Sequence, residues 1–273
     1  MPELPEVETI VRDLRGLVVG RRIDFVKVWL NKLVRTGPRR LAGFLLGAEI
    51  HGVRRRGKFI VFTLSGEKRL VVHLRMTGQF LWAAAPETRP KHVHLIIGFE
   101  EGGVLMYRDV RQFGYFLGLQ PADYQAWLVS EDIGPDPFDL SPEDFRERLC
   151  SRRGRIKPLL LDQRFVSGLG NIYVDEALFA AGIHPLSPAD RIREDEARRL
   201  FDEILSVLKE AIRLRGSTVR DYRGLTGVGG QFQSRHQVYG RTGEHCLVCG
   251  CALERLVVGG RSTHICPRCQ PRR

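Results

Sequence analysis

Two Cys-x2-Cys pairs near the end of the chain could hold a metal ion, and they are formed by Cys246, Cys249, Cys266 and Cys269. Sixteen residues separate the pairs, which is enough chain for a β-hairpin that turns at Gly259-Gly260. Four thiolates at the corners of a tetrahedron suit Zn²⁺ and make a closed, structural site. We therefore predict one structural Zn²⁺, with Cys150 and Cys251 outside the ligand set.

Arg261 comes directly after the predicted hairpin turn. A guanidinium held on a rigid hairpin is a good fork for a phosphate group. The alternative is a zinc ribbon that only stabilises a small subdomain. The cysteine spacing does not decide between the two interpretations.

Pro2 is a second candidate for chemistry, since it follows the initiator Met in the opening MPELPEVETI. Removal of Met1 would leave a secondary amine at the chain start. Such an amine has an ordinary pKa of about 7.7–8.0, against about 10.4 for lysine, and the dipole of a following helix lowers the pKa further. The amine would therefore be a nucleophile at neutral pH. The alternative is that Pro2 only begins a helix, where its fixed φ suits the first turn.

The 273-residue chain has a formal net charge of +11, from 43 Lys and Arg against 32 Asp and Glu. Residues 1–100 carry 18 basic and 9 acidic side chains (+9), residues 101–150 carry 4 and 10 (−6), and residues 151–273 carry 21 and 13 (+8). Two basic parts around an acidic middle indicate two domains with a positively charged cleft. They favour a polyanionic partner, nucleic acid before an anionic membrane. A general preference for surface arginine is the alternative.

Targeting signals are absent from the sequence pattern. No run approaches 18 apolar residues, so no membrane span is predicted. Glu3, Glu6 and Glu8 stand where a signal peptide would be basic and then apolar. We therefore expect a cytoplasmic monomer whose cysteines are reduced and available to a metal.

The elements that position these residues change character along the chain. Apolar residues at three- and four-residue steps predict a helix at 2–17. Short β-branched and aromatic segments then predict a β-sandwich or barrel, with strands at 23–30, 46–54, 58–64, 69–74, 93–99 and 104–107. The acidic, proline-containing stretch 121–140 is typical of a linker. Helical periodicity follows at 142–150, 155–162, 171–181 and 194–214, and the Gly-rich residues 216–235 indicate a mobile loop.

An ordered series of motifs runs almost from end to end. It comprises PELPEVET at 2–9, RRRGK at 54–58, HLRMTG at 73–78, DVRQFG at 109–114, LLLDQRFVSGLGNIYVDEALF at 159–179, GSTVRDY at 216–222 and the four cysteines. Together these motifs resemble the bacterial formamidopyrimidine-DNA glycosylase family, which removes oxidised guanine from DNA. The resemblance implies an α+β, two-domain fold. A helix-capped β-sandwich would span 1–134, a helix–two-turn–helix DNA-binding domain with a lesion-capping loop would span 135–235, and a four-cysteine zinc finger would span 236–273.

The resemblance also implies a bifunctional glycosylase and abasic-site lyase acting on double-stranded DNA. Pro2 would attack C1′ of the damaged nucleotide, and the resulting iminium would promote β- and δ-elimination. Glu3 would be the general acid and base, for which the alternative role is a first-turn acid favoured by the helix dipole. Lys58 would lie against the phosphate of the lesion, although a charge run such as 54–58 is usually a solvated face.

Further site residues are implied in three groups. The residues inserted into the duplex when a base is extruded would be Met76, Arg111 and Phe113. The DNA-binding residues would be His92, Arg111, Lys157, Asn171 and Arg261. The residues near the lesion would be Glu6, Ser217, Thr218, Arg220 and Tyr222. Taken alone, Met76 and Phe113 would more often be core residues. Asn171 alone could be a helix N-cap, and Tyr173 and Glu176 are expected to have packing or supporting roles.

Three alternatives stay open at this point. An endonuclease VIII-like glycosylase that prefers oxidised pyrimidines would share Pro2, Glu3 and the zinc finger. A non-catalytic DNA-binding module would keep the zinc finger and the basic cleft, but it has no need of Pro2, Glu3 and Lys58 together. A zinc-ribbon protein of RNA or the ribosome explains neither Pro2 nor the inserted residues.

Overall fold

The computed structural model of the chain describes residues 1–84, 89–218, 225, 227 and 229–272. Contacts divide the chain into two compact units, Met1–Asp132 with Leu214–Gln231, and Ile133–Arg213 with Phe232–Arg273. The division into 1–134, 135–235 and 236–273 stays a prediction, and it differs from these units in the assignment of residues 214–231. Over the residues that the structure describes, no helix is long and apolar enough to cross a membrane.

The first unit opens with helix α1, Leu4–Val18, where the apolar spacing predicts a helix at 2–17. Glu3 takes the N-cap position in an extended conformation, so the helix begins two residues after Pro2. The apolar face is buried, through Leu4, Val7, Ile10, Val11, Leu14 and Val18. This burial at three- and four-residue steps fixes the rotation of α1 on the sheet beneath it.

Two four-stranded antiparallel sheets form the body of the first unit. One has the order β1-β6-β7-β5, from Ile23–Val28, Val93–Phe99, Val104–Asp109 and Gly78–Ala83. The other has the order β2-β3-β4-β8, from Ile50–Arg56, Phe59–Leu64, Arg69–His73 and Tyr115–Leu119. Aromatic rings join the two inner faces, since Phe80 lies 6.2 Å from Phe62 and 6.1 Å from Phe116 between ring centroids. The predicted β-sandwich is therefore confirmed.

Several elements of this unit differ from the sequence prediction. The stretch predicted as a linker contains helix α3, Pro121–Ser130, because proline suits the first turn of a helix and because Tyr124 and Trp127 bury one face. Helix α2, Pro38–Leu45, and strands β5 and β8 have no counterpart in the prediction. Strand β2 runs to Arg56 rather than residue 54, so most of the charge run 54–58 lies in a paired strand.

The second unit is helical and ends in a hairpin. Its helices are α4 (Pro142–Cys150), α5 (Ile156–Leu161), α6 (Asn171–Ala180) and α7 (Glu194–Arg213), all close to their predicted bounds. Helix α7 buries Leu200, Phe201, Ile204 and Leu208, and the Phe201 ring packs 5.1 Å from that of Phe145 in α4. Strands β9 (Glu254–Val258) and β10 (Arg261–Ile265) form the hairpin. The α+β class with a helical second unit is therefore confirmed.

Candidate active site and zinc centre

The start of α1 and the turn between β2 and β3 lie at the same end of the first unit. Arg15, near the end of α1, donates from Nε to the carbonyl oxygen of Val53 at 2.7 Å, and Arg55 pairs through Nε with Glu8 Oε2 at 3.2 Å. The helix thus runs antiparallel to β2. From the contact between Glu8 and Arg55, the start of α1 is five residues back along the helix, about 7.5 Å, and the turn at Gly57-Lys58 begins two residues further along β2.

The three residues expected to be catalytic are sheltered at that end. Pro2 and Glu3 are buried, and Lys58, in the two-residue turn after β2, is only 8% exposed. A secondary amine, a carboxyl group and an ammonium group in one low-dielectric region could attack a carbon, move a proton and stabilise a leaving anion. In the chain as given, Met1 acylates the Pro2 nitrogen, so this chemistry requires its removal.

His73 lies beside Lys58 and the sequence prediction missed it. Strand pairing places His73 opposite Phe59, the residue after Lys58. Burial, reinforced by the cations of Arg75, Lys58 and Arg35, lowers the pKa of His73 to about 3. Its neutral Nδ1 accepts the backbone N–H of Arg75 at 2.9 Å, which fixes the start of the loop that carries Met76.

Met76, Arg111 and Phe113 come together on two neighbouring loops, as the resemblance implies. Met76 and Phe113 are 43% and 52% exposed, so the alternative that they are core residues is wrong. The guanidinium of Arg111 donates to Met76 Sδ at 2.9 Å and lies 4.8 Å from the centre of the Phe113 ring. Two exposed apolar side chains joined by one cation can stack on bases and donate hydrogen bonds to an unpaired base.

A buried carboxylate, which the sequence prediction did not single out, holds both of these loops. Asp109 is fully buried at the end of β7. It accepts hydrogen bonds from the hydroxyl of Thr77, from Gly114 N at 2.8 Å and from the Tyr107 hydroxyl at 3.4 Å. Burial beside this carboxylate raises the pKa of Tyr107. Asp109 therefore sets the separation of the loops that carry Met76 and Phe113.

Glycine is required where the two loops meet Tyr107. A Cβ on Gly78 would lie 2.2 Å from the Tyr107 hydroxyl oxygen, and one on Gly114 would lie 1.7 Å from it. His92, expected to bind DNA, directly precedes β6, and its carbonyl oxygen accepts from Asp109 N at 3.0 Å. Its left-handed φ of 66° is uncommon for a residue other than glycine.

The structure describes three of the five residues expected near the lesion, Glu6, Ser217 and Thr218. Glu6, in the first turn of α1, is 2% exposed and accepts the backbone N–H groups of Glu3 and Ser217, each at 2.7 Å. Thr218 Oγ1 accepts from Gly230 N at 2.7 Å. Arg220 and Tyr222 lie outside the described residues, as do other residues of the segment predicted to be mobile. Within its described part, Phe232–Arg235 form a short 3₁₀ helix.

The zinc centre of the second unit has the predicted ligands. The Sγ atoms of Cys246, Cys249, Cys266 and Cys269 all lie within 4.8 Å of one another. The Cys246–Cys269 and Cys249–Cys266 separations are 3.9 and 3.4 Å. A tetrahedron with Zn–S bonds of about 2.3 Å has edges of about 3.8 Å, so the four thiolates fit one structural Zn²⁺. Cys150 and Cys251 are outside this group, as predicted.

The hairpin turns at Gly259-Gly260, where the sequence predicts it. Both glycines have positive φ, 57° and 72°, as a two-residue turn between antiparallel strands requires. Arg261 follows as the first residue of β10, paired with Val258, and its side chain is exposed. A phosphate could reach this guanidinium without displacing another residue.

Lys157 does not present its ammonium group to solvent. The side chain is fully buried, and Nζ donates to Asp175 Oδ1 at 2.6 Å, to Thr263 Oγ1 at 2.8 Å and to the Ser262 carbonyl oxygen at 3.0 Å. An ammonium group has three N–H donors, so these contacts use all of them. This geometry argues against the expected direct contact of Lys157 with DNA phosphate. Lys157 instead joins α5 and α6 to the zinc-finger hairpin.

Asn171 also reaches the hairpin. Its Nδ2 donates to the Ser262 carbonyl oxygen at 2.8 Å, while Gly170 occupies the N-cap position of α6, so the alternative that Asn171 is the N-cap is wrong. The supporting role expected of Tyr173 and Glu176 is seen in the contacts. The Tyr173 ring packs against Phe232, and the Glu176 carboxylate accepts the N–H groups of residues 237, 238 and 239 at 2.8–3.1 Å.

The fold and these two sites define a DNA glycosylase with a zinc finger, and comparison with known proteins gives the family. Residues 1–116 match the formamidopyrimidine-DNA glycosylase N-terminal domain, residues 133–223 its H2TH domain, and residues 243–272 the zinc finger found in FPG and IleRS. The chain belongs to the formamidopyrimidine-DNA glycosylase family.

Individual relatives are similar to this chain in sequence over almost their whole length. The formamidopyrimidine-DNA glycosylase of Streptococcus pneumoniae is 41% identical over 276 residues, with all of both chains covered, and that of Brevibacillus brevis is 47% identical, with 99% of each covered. Among solved structures, the Lactococcus lactis enzyme in complex with DNA containing an abasic site has a TM-score of 0.93 at 41% identity. That match covers 99% of this chain and all of the other.

Proposed function

We propose that this enzyme removes oxidised purines, 8-oxoguanine and formamidopyrimidines, from double-stranded DNA and then cleaves the abasic site. The observation that carries the proposal is the grouping of Pro2, Glu3 and Lys58 at one sheltered end of the first unit, in a chain of this family. The substrate class follows from the relatives, which include a Lactococcus lactis glycosylase variant bound to Fapy-dG DNA. We propose that it acts in the bacterial cytoplasm, on the DNA of the nucleoid.

The proposed reaction begins when Met1 has been removed. The lone pair of the Pro2 nitrogen forms a bond to C1′ of the damaged nucleotide, and the C1′–N9 bond breaks with its electron pair leaving on the purine. The Pro2 nitrogen then gives up its N–H proton, which neutralises the departing base. The C1′–O4′ bond then opens as the iminium forms, and Glu3 gives a proton to O4′. A secondary amine yields an iminium with no N–H proton to lose, so its positive charge persists.

That cation makes the 2′-proton acidic. Loss of this proton to Glu3 or water breaks the C3′–O bond, and the electron pair leaves on the 3′-phosphate. A second elimination expels the 5′-phosphate and leaves a one-nucleotide gap, after which water hydrolyses the adduct and frees Pro2. Lys58 stabilises the charge that develops on phosphate in these steps.

DNA binding is divided between the two units in this proposal. Met76 and Phe113 fill the gap left by the extruded nucleotide, while Arg111 bonds the unpaired base opposite. Arg261 and Asn171 take phosphate oxygens, and the zinc ion holds the hairpin that presents Arg261. Lys157 acts on DNA indirectly, since it fixes Ser262 and Thr263 directly after Arg261.

Borohydride trapping tests the proposal. The protein is incubated with a duplex that contains 8-oxoguanine opposite cytosine, borohydride reduces the iminium to a stable amine, and mass spectrometry locates the adduct. We expect it on the peptide that begins at Pro2. Tight binding of the lesion duplex without an adduct, by protein whose free Pro2 is confirmed, would leave a non-catalytic DNA-binding module as the better account.

Excision rates on two lesions distinguish the proposed purine enzyme from the sister class of endonuclease VIII-like glycosylases. An endonuclease VIII-like glycosylase would excise an oxidised pyrimidine faster than 8-oxoguanine in duplexes of otherwise identical sequence. The match of residues 1–116 to the formamidopyrimidine-DNA glycosylase N-terminal domain favours the purine substrate.

A further inference from the structure

Four strand ends lie side by side at one end of the sheet β1-β6-β7-β5, and we call it the loop end. There β5 begins at Gly78, β7 ends at Asp109, β6 begins at Val93 and β1 ends at Val28. The two loops with the residues expected to enter the duplex adjoin β5 and β7 at this end. The residue that follows β1 at the same end is Trp29.

Trp29 is an aromatic side chain at the surface with a cation on its ring. It is 44% exposed, whereas Trp127 is 8% exposed. The guanidinium of Arg89 lies 4.9 Å from the centre of the Trp29 ring. The donors of a guanidinium stacked in this way stay at its rim, where they can still reach an acceptor. The pair thus offers an apolar ring and a phosphate-binding group at one place.

Backbone contacts fix Trp29 relative to the two loops. Trp29 N donates to the His94 carbonyl oxygen at 2.9 Å, and His94 Nε2 lies 2.9 Å from the Asp109 carbonyl oxygen. Asp109 is the buried residue whose carboxylate sets the separation of these loops. The position of Trp29 is therefore set by the same part of the sheet that positions the inserted residues.

The surface around Trp29 is basic. The segments 27–35 and 89–94 contain five lysine and arginine residues and no acidic residue. All five are exposed, and they are Lys27, Lys32, Arg35, Arg89 and Lys91. Such a surface attracts a phosphate backbone. Because this surface is continuous with His92 and the two loops, the duplex that they bind is the partner that fits it.

Strand spacing gives the distance from Trp29 to the lesion. Neighbouring strands are about 4.8 Å apart, and β1 is two strands from β7 and three from β5. Trp29 therefore lies about 10–14 Å from the places where the two loops leave the sheet. One base pair occupies about 3.4 Å along a duplex, so this distance corresponds to about three to four base pairs.

We propose that Trp29 and Arg89 form a second DNA contact on the first unit, about three to four base pairs to one side of the lesion. Arg89 donates to a phosphate group, and the Trp29 ring packs against the neighbouring deoxyribose. Phosphate and sugar contacts carry no sequence information, so this contact accepts any flanking sequence. The proposal rests on the proposed function, since it takes the inserted residues as the position of the lesion.

Binding to duplexes of unequal arms tests the proposal. The probe contains a tetrahydrofuran residue opposite cytosine, which has no group to displace at C1′. Two versions are made, each with about two base pairs on one side of this residue and about ten on the other. We expect Trp29→Ala and Arg89→Gln to bind one version about three- to tenfold more weakly than the unchanged protein. They should bind the other version, which lacks the contacted arm, as the unchanged protein does.

The salt dependence of binding and a matched control make this test specific. On the version with the contacted arm, Arg89→Gln should lower the slope of log K against log salt by about 1. The control is Arg21→Gln, since Arg21 lies 5.3 Å from the centre of the Trp82 ring at the opposite end of the same sheet. It removes the same charge from the same kind of pair and should change neither affinity nor slope. Equal losses on both versions, or the same loss with Arg21→Gln, would overturn the proposal.

Quenching of tryptophan fluorescence by acrylamide locates the contact without a change in affinity. Trp29 is the most exposed of the three tryptophans. We expect the version with the contacted arm to shield Trp29 from acrylamide and the other version to leave it accessible. The Trp29→Phe variant should show no such difference. Equal quenching in the two complexes of the unchanged protein would overturn the proposal, and this result needs no variant that folds.

Failure of this proposal can be told from failure of the proposed function. If the unchanged protein neither excises 8-oxoguanine nor forms the Pro2 adduct, the proposed function fails. If it does both, and Trp29→Ala and Arg89→Gln bind both versions as the unchanged protein does, only the second DNA contact is wrong.

Discussion

Replacement of Lys157 by methionine tests whether this lysine binds phosphate or holds the zinc-finger hairpin in place. The substitution preserves the length of the side chain and removes the charge, so the Asp175 carboxylate stays buried without its ammonium partner. Both side chains of the pair are 0% exposed. Breaking a buried ion pair from one side costs about 3–5 kcal/mol. His264, which donates to Asp175 Oδ2 from its backbone N at 3.0 Å, favours the lower end of that range.

The expected result is a large loss of stability in the second unit. At a few degrees per kcal/mol, the Tm of its transition should fall by roughly 10 °C or more. The transition can be followed by calorimetry together with zinc release. The matched control is Arg261→Gln, which removes an exposed cation of the same hairpin and should leave Tm unchanged.

The salt dependence of DNA binding separates the two roles for Lys157. Loss of one phosphate contact lowers the slope of log K against log salt by about 1. We expect that loss for Arg261→Gln. The Lys157→Met variant, measured well below its Tm, should keep the slope of the unchanged protein. An unchanged Tm with a slope reduced by about 1 would refute the structural role and restore a direct phosphate contact.

Three further predictions concern the first unit and the metal. Since the pKa of His73 is lowered from 6.5 to about 3, its neutral form stabilises the fold fully above pH 6.5, and that stability is lost as pH falls toward 3. The free energy of unfolding of the His73→Gln variant, measured with urea, should therefore fall by about 3 kcal/mol less between pH 7 and 4 than that of the unchanged protein. Equal falls in the two proteins would contradict this prediction. Asp109→Asn should lower 8-oxoguanine excision about 10-fold or more, because the amide has one acceptor oxygen for the three donors that the carboxylate serves, while equal excision would show that the two loops hold their separation unaided. Chelation of Zn²⁺ should abolish DNA binding, and adding the metal back should restore it, as followed by fluorescence anisotropy. Binding that survives confirmed zinc loss would refute the structural role of the metal.

Local patterns predicted the zinc finger and the long helices well. The spacing of the four cysteines and the pair Gly259-Gly260 are short-range features, and both determine the hairpin without reference to the rest of the chain. Helices α4 and α7 follow from apolar periodicity over 9 and 20 residues. Helix α3 was missed because its prolines and acids resemble a linker, whereas the burial of Tyr124 and Trp127 within the first unit helps to stabilise it.

The candidate site was predictable as a set of residues but not as an arrangement. The resemblance to a family supplied Met76, Arg111 and Phe113, and the structure brings them together. Nothing in the local sequence shows that Glu6 contacts Ser217, because 211 residues separate them along the chain. Burial of Lys157 is equally invisible, since a lysine in a basic protein is expected at the surface.

Three buried carboxylates of this protein share one physical role. Glu6, Asp109 and Glu176 all accept backbone N–H groups from loops, from 211 residues away for Glu6, 63 for Glu176 and five for Asp109. A loop has no apolar face to pack, so hydrogen bonds from its backbone N–H groups are what can fix its position. An ionised acceptor makes stronger hydrogen bonds with these groups than a neutral one. A carboxylate can do this only where the fold brings it to the loop. Buried acidic residues that accept loop N–H groups are therefore the first places in this protein to look for control of loop positions.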